Sequence, residues 1–256
     1  MNQGLVVVIT TNGLLVFLRG VNLNPGQDPE DMVSIRIWIN EHCIITTRKR
    51  RLLSVDDIRE RIHNGAGPKT PTEFLKLLND RLLDRMSNVI ESISDHVDEL
   101  EQAVMTTESH LLRPKIADIR REAILIRRYL APQREALGRL CYEDTTFLSK
   151  ADKFYLREAN DRIIRYIEDL DSAKERATIA QEELTSRLSE QMNRRMYILS
   201  VVAVIFLPLS FITGLLGINV GGIPGANYEW AFLLVSKGLL ILLLSMLWLF
   251  HRKKWI

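Results

Sequence analysis

Two apolar runs near the end of the chain restrict its fold more than any other feature. Residues 196–216 contain no Asp, Glu, Lys, Arg or His, and residues 230–250 contain one charge, Lys237. Each matches the roughly 20 residues that a helix needs to cross the hydrocarbon core of a bilayer. Backbone groups there must satisfy one another, so both runs read as helices, joined by a short loop on the far side. The bulk composition, 46% hydrophobic and 26% charged with a formal net charge of +2, hides this division. Charge is dense from 48 to 195 and nearly absent from 196 to 250. A polar body is followed by an apolar tail.

The flanks predict the orientation. Arg194 and Arg195 precede the first run, His251, Arg252, Lys253 and Lys254 follow the second, and the loop between carries only Glu229. Basic residues stay on the cytoplasmic side, so both termini are expected there. Trp230, Trp248 and Trp255 lie near the run ends, where amphipathic rings favour the interface. Lys237 is within roughly 10 Å of Trp230 along a helix and is expected to snorkel outward. The early run LVVVIT is too short and lacks the basic flank of a cleavable signal.

In the polar body, residues 1–66 predict strands and turns. LVVVIT, LLVFLRGV, SIRIWIN and CIITT are rich in β-branched residues, Asn12-Gly13 signals a hairpin and Asn40-Glu41-His42 a second turn. Ser54 reads as the N-cap of a short helix ending at His63 before Asn64-Gly65. This α/β unit begins in a strand and is expected to be a partial domain. Thr70-Pro71-Thr72-Glu73 then opens a helix to about Leu112, with apolar residues from Phe74 to Val104 at helical spacing. A second helix is predicted from Pro114 to Tyr142 with a kink at Pro132.

A third helix starts near Thr146 and meets no breaker before Pro208. Its stripe Ile163, Ile167, Leu170, Ala177, Leu184 and Leu188 approaches a heptad, interrupted by Lys174 and Gln181. From 146 to 218 it would extend on the order of 110 Å if straight. Such a length favours self-association along the helix.

Several chemistries find no support. Cys43 and Cys141 are expected to be reduced and structural. His42-Cys43 lacks further spaced ligands for a zinc site and reads as strand packing. Glu91, Asp95, Asp98, Glu99 and Glu101 read as a solvated helix face, with a regulatory cation as the alternative. No Ser-His-Asp set, phosphate loop or paired catalytic carboxylates appear by spacing, so no enzyme is expected. Basic and acidic residues alternate along the helices, which argues against nucleic acid.

Two spans cannot enclose an aqueous path, so a pore requires several copies, each lending one helix. Along the first span Asn193, Met196, Leu199, Ala203, Leu207, Ser210, Gly214 and Gly217 recur at three- and four-residue steps, with Thr213 and Ser200 nearby. That face is polar or small at its ends and apolar in the middle, the profile of a dewetting constriction between wetter mouths. Small residues also serve helix packing without a pore. A membrane-anchored coiled-coil signalling or scaffold protein is the competing class.

Gly217-Ile218-Asn219 after the first of two spans, a short outer loop, a terminal Arg-Lys-Lys-Trp and a long preceding stalk resemble the CorA superfamily of divalent-cation transporters. Gly-Ile-Asn in place of Gly-Met-Asn, together with IWINEHCIITTRKRRLLSVDDIRERI, resembles its zinc-transporting ZntB branch. Leu216 stands where the family often has an aromatic residue, and Gly225 where it often has an acidic one.

The resemblance implies an α+β cytoplasmic domain with a mixed sheet, a long helical stalk, two C-terminal transmembrane helices and a funnel-shaped homopentamer. The expected parts are 1–66 (partial domain), 67–195 (stalk), 196–219 (pore helix), 220–229 (periplasmic loop), 230–250 (second span) and 251–256 (basic tail). It further implies Gly217, Ile218 and Asn219 as the selectivity motif, with Asn219 receiving a hydrated cation. Pore lining is carried by Asn193, Met196, Leu199, Ala203, Leu207, Ser210, Thr213 and Gly214, and Glu229 stands at the outer mouth. The implied partners are the lipid bilayer, further copies of the chain in the inner membrane and the cargo, Zn2+, with Mg2+, Co2+, Ni2+ and Cd2+ as alternatives. No resident cofactor is implied.

Overall fold

The computed structural model describes residues 7–10, 13–106, 110–142, 148–218, 223, 225 and 228–253. It comprises two units, Met1–Ser186 and Arg187–Ile256.

In the first unit β1 (Val7–Thr10), β2 (Gly13–Gly20), β3 (Val33–Ile39) and β4 (Ile44–Arg48) form one sheet in the order β1-β2-β3-β4. Every described pairing is antiparallel, so the sheet is a meander where a mixed sheet was expected. Thr10 pairs with Gly13, and the intervening residues, Asn12 included, lie outside the described ones. Gly13 is thus a strand residue. A Cβ there would come within 2.7 Å of the Ile39 carbonyl oxygen and 3.1 Å of the Trp38 ring, so close approach explains this glycine. The second turn forms as predicted: Asn40 Oδ1 accepts the backbone N–H groups of His42 at 2.9 Å and Cys43 at 2.7 Å. His42 and Cys43 are exposed in that turn and pack in no strand, and Cys43 and Cys141 are both free thiols.

Alternation builds the core. Leu14, Val16 and Leu18 of β2 and Ile35, Ile37 and Ile39 of β3 are fully buried on one face. Against them lie apolar residues of α1 (Leu53–His63), α2 (Pro71–Thr106), α3 (Leu112–Tyr142) and the lower part of α4 (Lys150–Leu216) in one continuous cluster. Each fully buried Leu or Ile contributes about 1.5–3 kcal/mol of transfer free energy.

Helix ends depart from expectation in instructive ways. Ser54 is not an N-cap: the cap is Leu52, without a side-chain hydrogen bond, and Ser54 is buried inside α1 with no partner for its hydroxyl among the described residues. The other end follows prediction, because Gly65 takes φ +72 after Asn64. At the start of α2 the Thr70 hydroxyl accepts the Glu73 N–H at 3.2 Å, while the Glu73 carboxylate accepts the Lys69 N–H at 2.7 Å. α2 stops at Thr106, not near Leu112; the Thr106 hydroxyl bonds back to the carbonyls of Gln102 and Ala103. α3 starts two residues before Pro114, whose missing N–H is unneeded in a first turn, and it continues through Pro132.

α4 begins at Lys150; Thr146 lies outside the described residues. Its cap is reciprocal: Ser149 donates N–H and Oγ–H to Asp152 Oδ2 at 2.9 and 2.7 Å, and the Asp152 N–H returns to Ser149 Oγ at 3.1 Å. The buried seam runs Ile163, Ile167, Leu170, Ala173, Ala177, Ala180, Leu184. Alanines at 173 and 180 carry it, so Lys174 and Gln181 lie off the seam and do not interrupt it. Part of this helix is therefore covered by its own chain. Arg162 pairs with Asp80 and Asp84 of α2, Tyr155 donates to the Lys76 carbonyl, Arg176 clasps Asp98 and Glu101, and Arg127 of α3 pairs with Asp171. Two residues of the predicted solvated acidic face thus hold two helices together.

In the second unit α4 runs on to Leu216, through Pro208, and α5 (Ala231–Arg252) follows. Both are long and apolar enough to cross a membrane. Arg252 stacks its guanidinium 5.3 Å from the centroid of the Trp248 ring at the basic end of α5. Trp255 lies outside the described residues.

Candidate functional site

An apolar helix in lipid gains little from burying one more leucine, so the informative question in the second unit is which stripe of each helix is shielded. On α4 the less exposed positions are Val201, Ile205, Pro208, Leu209 and Ile212, and Ile205 is buried. On α5 they are Leu239, Leu242, Leu243, Met246 and Phe250, and Phe250 is buried. Each set follows three- and four-residue steps.

With about 100° between successive residues, the shielded stripe of α4 points to one side. Met196, Leu199, Ala203, Leu207, Ser210 and Gly214 all fall within about 40° of the line directly opposite. All six are exposed, Leu199 by 69% and Leu207 by 73%. Asn193 and Thr213, also exposed, sit about 80° from that line and flank it. The residues predicted to line a pore are therefore brought onto one face, with these two at its margins.

The hydroxyls on and near this face have a defined polarity. Thr213 Oγ1 donates to the carbonyls of Leu209 at 3.0 Å and Ser210 at 3.1 Å, and Ser200 Oγ donates to the Met196 carbonyl at 2.8 Å. A hydroxyl whose proton is committed to the helix backbone presents only lone pairs outward. Oxygen lone pairs suit a hydrated divalent cation, and neutral oxygens release it more readily than a thiolate cage does. Spacing alone placed Thr213 and Ser200 near the face but carried no sign of this polarity.

Beyond Leu216 the chain leaves the helix. The Gly217 N–H donates to the carbonyls of Thr213 at 2.9 Å and Gly214 at 3.2 Å. A Cβ at Gly217 would lie 3.1 Å from the Thr213 oxygen, whereas one at Gly214 would meet open space. Gly217 thus answers to a close carbonyl. Ile218 is 51% exposed, and Glu229 is exposed in the turn before α5. Asn219 lies outside the described residues. Among the described residues no three His, Cys, Asp or Glu side chains group as a metal site.

A sheet-and-helix unit and two helices long and apolar enough to cross a membrane, with small and hydroxyl-bearing residues on one face of the first, fit the class that the relatives define, membrane transporters of metal cations rather than enzymes. Residues 8–252 match the family model described as CorA-like Mg2+ transporter protein, and the chain belongs to that family. It is 42% identical over 248 residues to the divalent cation transporter CmaX of Pseudomonas aeruginosa, covering 95% of this chain and 74% of that one. It is 35% identical over 245 residues to the zinc transport protein ZntB of Yersinia pseudotuberculosis, covering 96% and 75%. Among solved structures, full-length CmaX superposes with a TM-score of 0.83 at 39% identity, covering 100% of this chain and 78% of that one. The CorA magnesium transporter of Methanocaldococcus jannaschii gives 0.85 at 19% identity, covering 98% and 79%, a likeness of fold alone.

Proposed function

We propose that the chain moves divalent metal cations, zinc foremost, through a homopentameric pore lined by the 196–216 segment of α4. The observation that carries this reading is the opposition of stripes on α4: the shielded side is apolar, and the side facing away from it is the one with Ser210, Gly214 and the flanking Thr213. One hairpin encloses no channel, so a face of this kind asks for copies of itself around an axis. Ala203 and Leu207 supply the apolar constriction, and Asn219 the outer ring that meets the hydrated ion. Glu229 raises the local cation concentration at the mouth.

Zinc is favoured by the Gly217-Ile218-Asn219 tripeptide and by relatives named zinc transport proteins. A Mg2+ or Co2+ channel of the same fold is the second reading, favoured by the family description. The basic flanks at Arg194, Arg195 and 251–254 support an inner-membrane protein with both ends in the cytoplasm.

The test is flux into liposomes containing the purified chain, with Zn2+ and Mg2+ compared and an internal pH dye present. Zn2+ entry that is lost in Asn219→Ala, with oligomer size unchanged, is the expected result. A matching pH change would mark proton coupling. Mg2+ entry without Zn2+ would transfer the reading to a magnesium channel, and no flux of either ion would favour a scaffold.

A further inference from the structure

The sheet of the first unit carries a cationic cleft outside the residues assigned to the pore. β3 alternates: Val33, Ile35, Ile37 and Ile39 are buried, so Ser34, Arg36 and Trp38 lie on the opposite face. Register sets Thr47 of β4 directly across from Arg36, and Lys49 follows two residues on, toward the same side. A cleft of about 370 Å³ opens there, lined by Ser34, Arg36, Thr47, Arg48, Lys49 and Arg50 over the floor of Met32 and Val33. Among its described lining residues there are four cations and no carboxylate.

Asp56, which pairs with the lining residue Arg48, is already committed. Asp56 of α1 accepts from Arg48 at 2.9 Å and from Arg51 at 2.7 Å. The Arg51 hydrogen bond, with that of Arg48 and against partial burial, holds its carboxyl below the ordinary range. Arg36, Lys49 and Arg50 form no ion pair among the described residues. Some arginines of this unit, Arg162 and Arg176 among them, are paired across helices. Three unpaired cations beside two hydroxyl donors, in a concave site, make a receptor for an anion with several oxygen acceptors.

We propose that this cleft binds a soluble phosphate-bearing polyanion. Guanidinium groups bind phosphate oxygens in a planar fork, the ammonium of Lys49 adds a point charge, and Ser34 and Thr47 donate to remaining oxygens. A chain of phosphoryl groups engages the separated cations together, where a single phosphate reaches only some of them.

The full chain in detergent, free of divalent cations, is titrated calorimetrically with sodium tripolyphosphate and separately with inorganic phosphate. Saturable binding is expected, tighter for tripolyphosphate and weaker at high salt. Arg36→Ala and Lys49→Ala should each weaken it by about tenfold, one such step in the binding constant. Arg36→Lys, which keeps the charge but loses the fork, should fall between the parent and Arg36→Ala, and Lys115→Ala, on α3 in a different cleft, should leave it unchanged. Arg36 and Lys49 are exposed strand or strand-end residues and Lys115 is exposed on α3, so their loss leaves the core intact, which thermal melts of each variant verify. Absence of saturable heat, equal affinity for the two anions, or equal weakening by Lys115→Ala would overturn the assignment.

Discussion

Arg176 Nε lies 2.9 Å from Glu101 Oε1, joining α4 to α2 across 75 residues of sequence, and Asp98 takes a second nitrogen of the same guanidinium. The hydrogen bonds to Glu101 and then Asp98 raise the Arg176 pKa further, so the guanidinium stays charged throughout any accessible pH range. Its groups are about one-third to one-half exposed, which places its worth near that of a good surface network. Arg176→Met should lower stability by about 1 kcal/mol at low salt, with the gap to the parent narrowing in 1 M NaCl. Urea unfolding of the first unit, followed at two salt concentrations, measures it; a salt-independent loss would mean that packing, not charge, was removed.

The Ser149–Asp152 cap gives a pH-dependent prediction. Burial raises the Asp152 pKa, but Lys76 and the two Ser149 bonds outweigh it, and the net shift is downward. A carboxyl with a depressed folded pKa contributes stability fully present above its unfolded value of about 3.9 and lost as pH falls through the folded one. Ser149→Ala should cost about 1 kcal/mol as a lost cap. Asp152→Ala should cost more, because it also leaves Lys76 beside a vacated partner, and its deficit should shrink below about pH 4. Thermal melts at neutral and acidic pH compare the two; an Asp152→Ala deficit constant across that range would remove the charge argument.

The apolar stripes, the turn at Asn40, the Thr70–Glu73 helix start and the two spans were legible because each is local chemistry written in consecutive residues. What escaped depended on distant partners. Ser54 has a capping side chain, yet Leu52 opens α1 and packing buries the hydroxyl. Lys174 looked like a break in a heptad until Ala173 and Ala180 proved to carry the seam. Arg162 and Arg176, fourteen residues apart and so close to one helix face, were a readable hint of repeated pairing with α2 that nearest-neighbour patterns do not weigh. At the candidate site, spacing predicted which residues share a face of α4. It carried no information on where the hydroxyl protons go.

Glu122 of α3 faces a cavity of about 700 Å³ shared with Asp28, Glu30 and His96. Burial, then the charge of Glu30, raises its pKa, with His96 opposing and Asp28 adding to the rise. Here the sign reverses: between the unfolded value of about 4.3 and the raised folded value, the native state binds more protons, so stability falls as pH rises. Glu122→Gln should therefore melt higher than the parent above that window, and the difference should vanish near pH 4. A variant that melts lower at neutral pH would indicate that the ionised carboxylate has a favourable partner.

Leu207 and Ile205 separate lining from packing within one turn of α4. Leu207 is 73% exposed on the unshielded face, and Ile205 is 8% exposed on the shielded one. Replacing Leu207 with Ser removes an apolar constriction by which dewetting would limit passage, so cation flux should rise and discrimination between Zn2+ and Mg2+ should fall, with the melt unchanged. Ile205→Ala should do the reverse. Its flux should stay near that of the parent while the hairpin loses packing, by less than the roughly 2–5 kcal/mol of an Ile→Ala change in a water-soluble core, because lipid tails replace part of the lost contact. Flux in liposomes and thermal stability in detergent, measured on both variants, decide the matter: parent-like flux in Leu207→Ser together with altered flux in Ile205→Ala would place the conducting face on the other side of the helix.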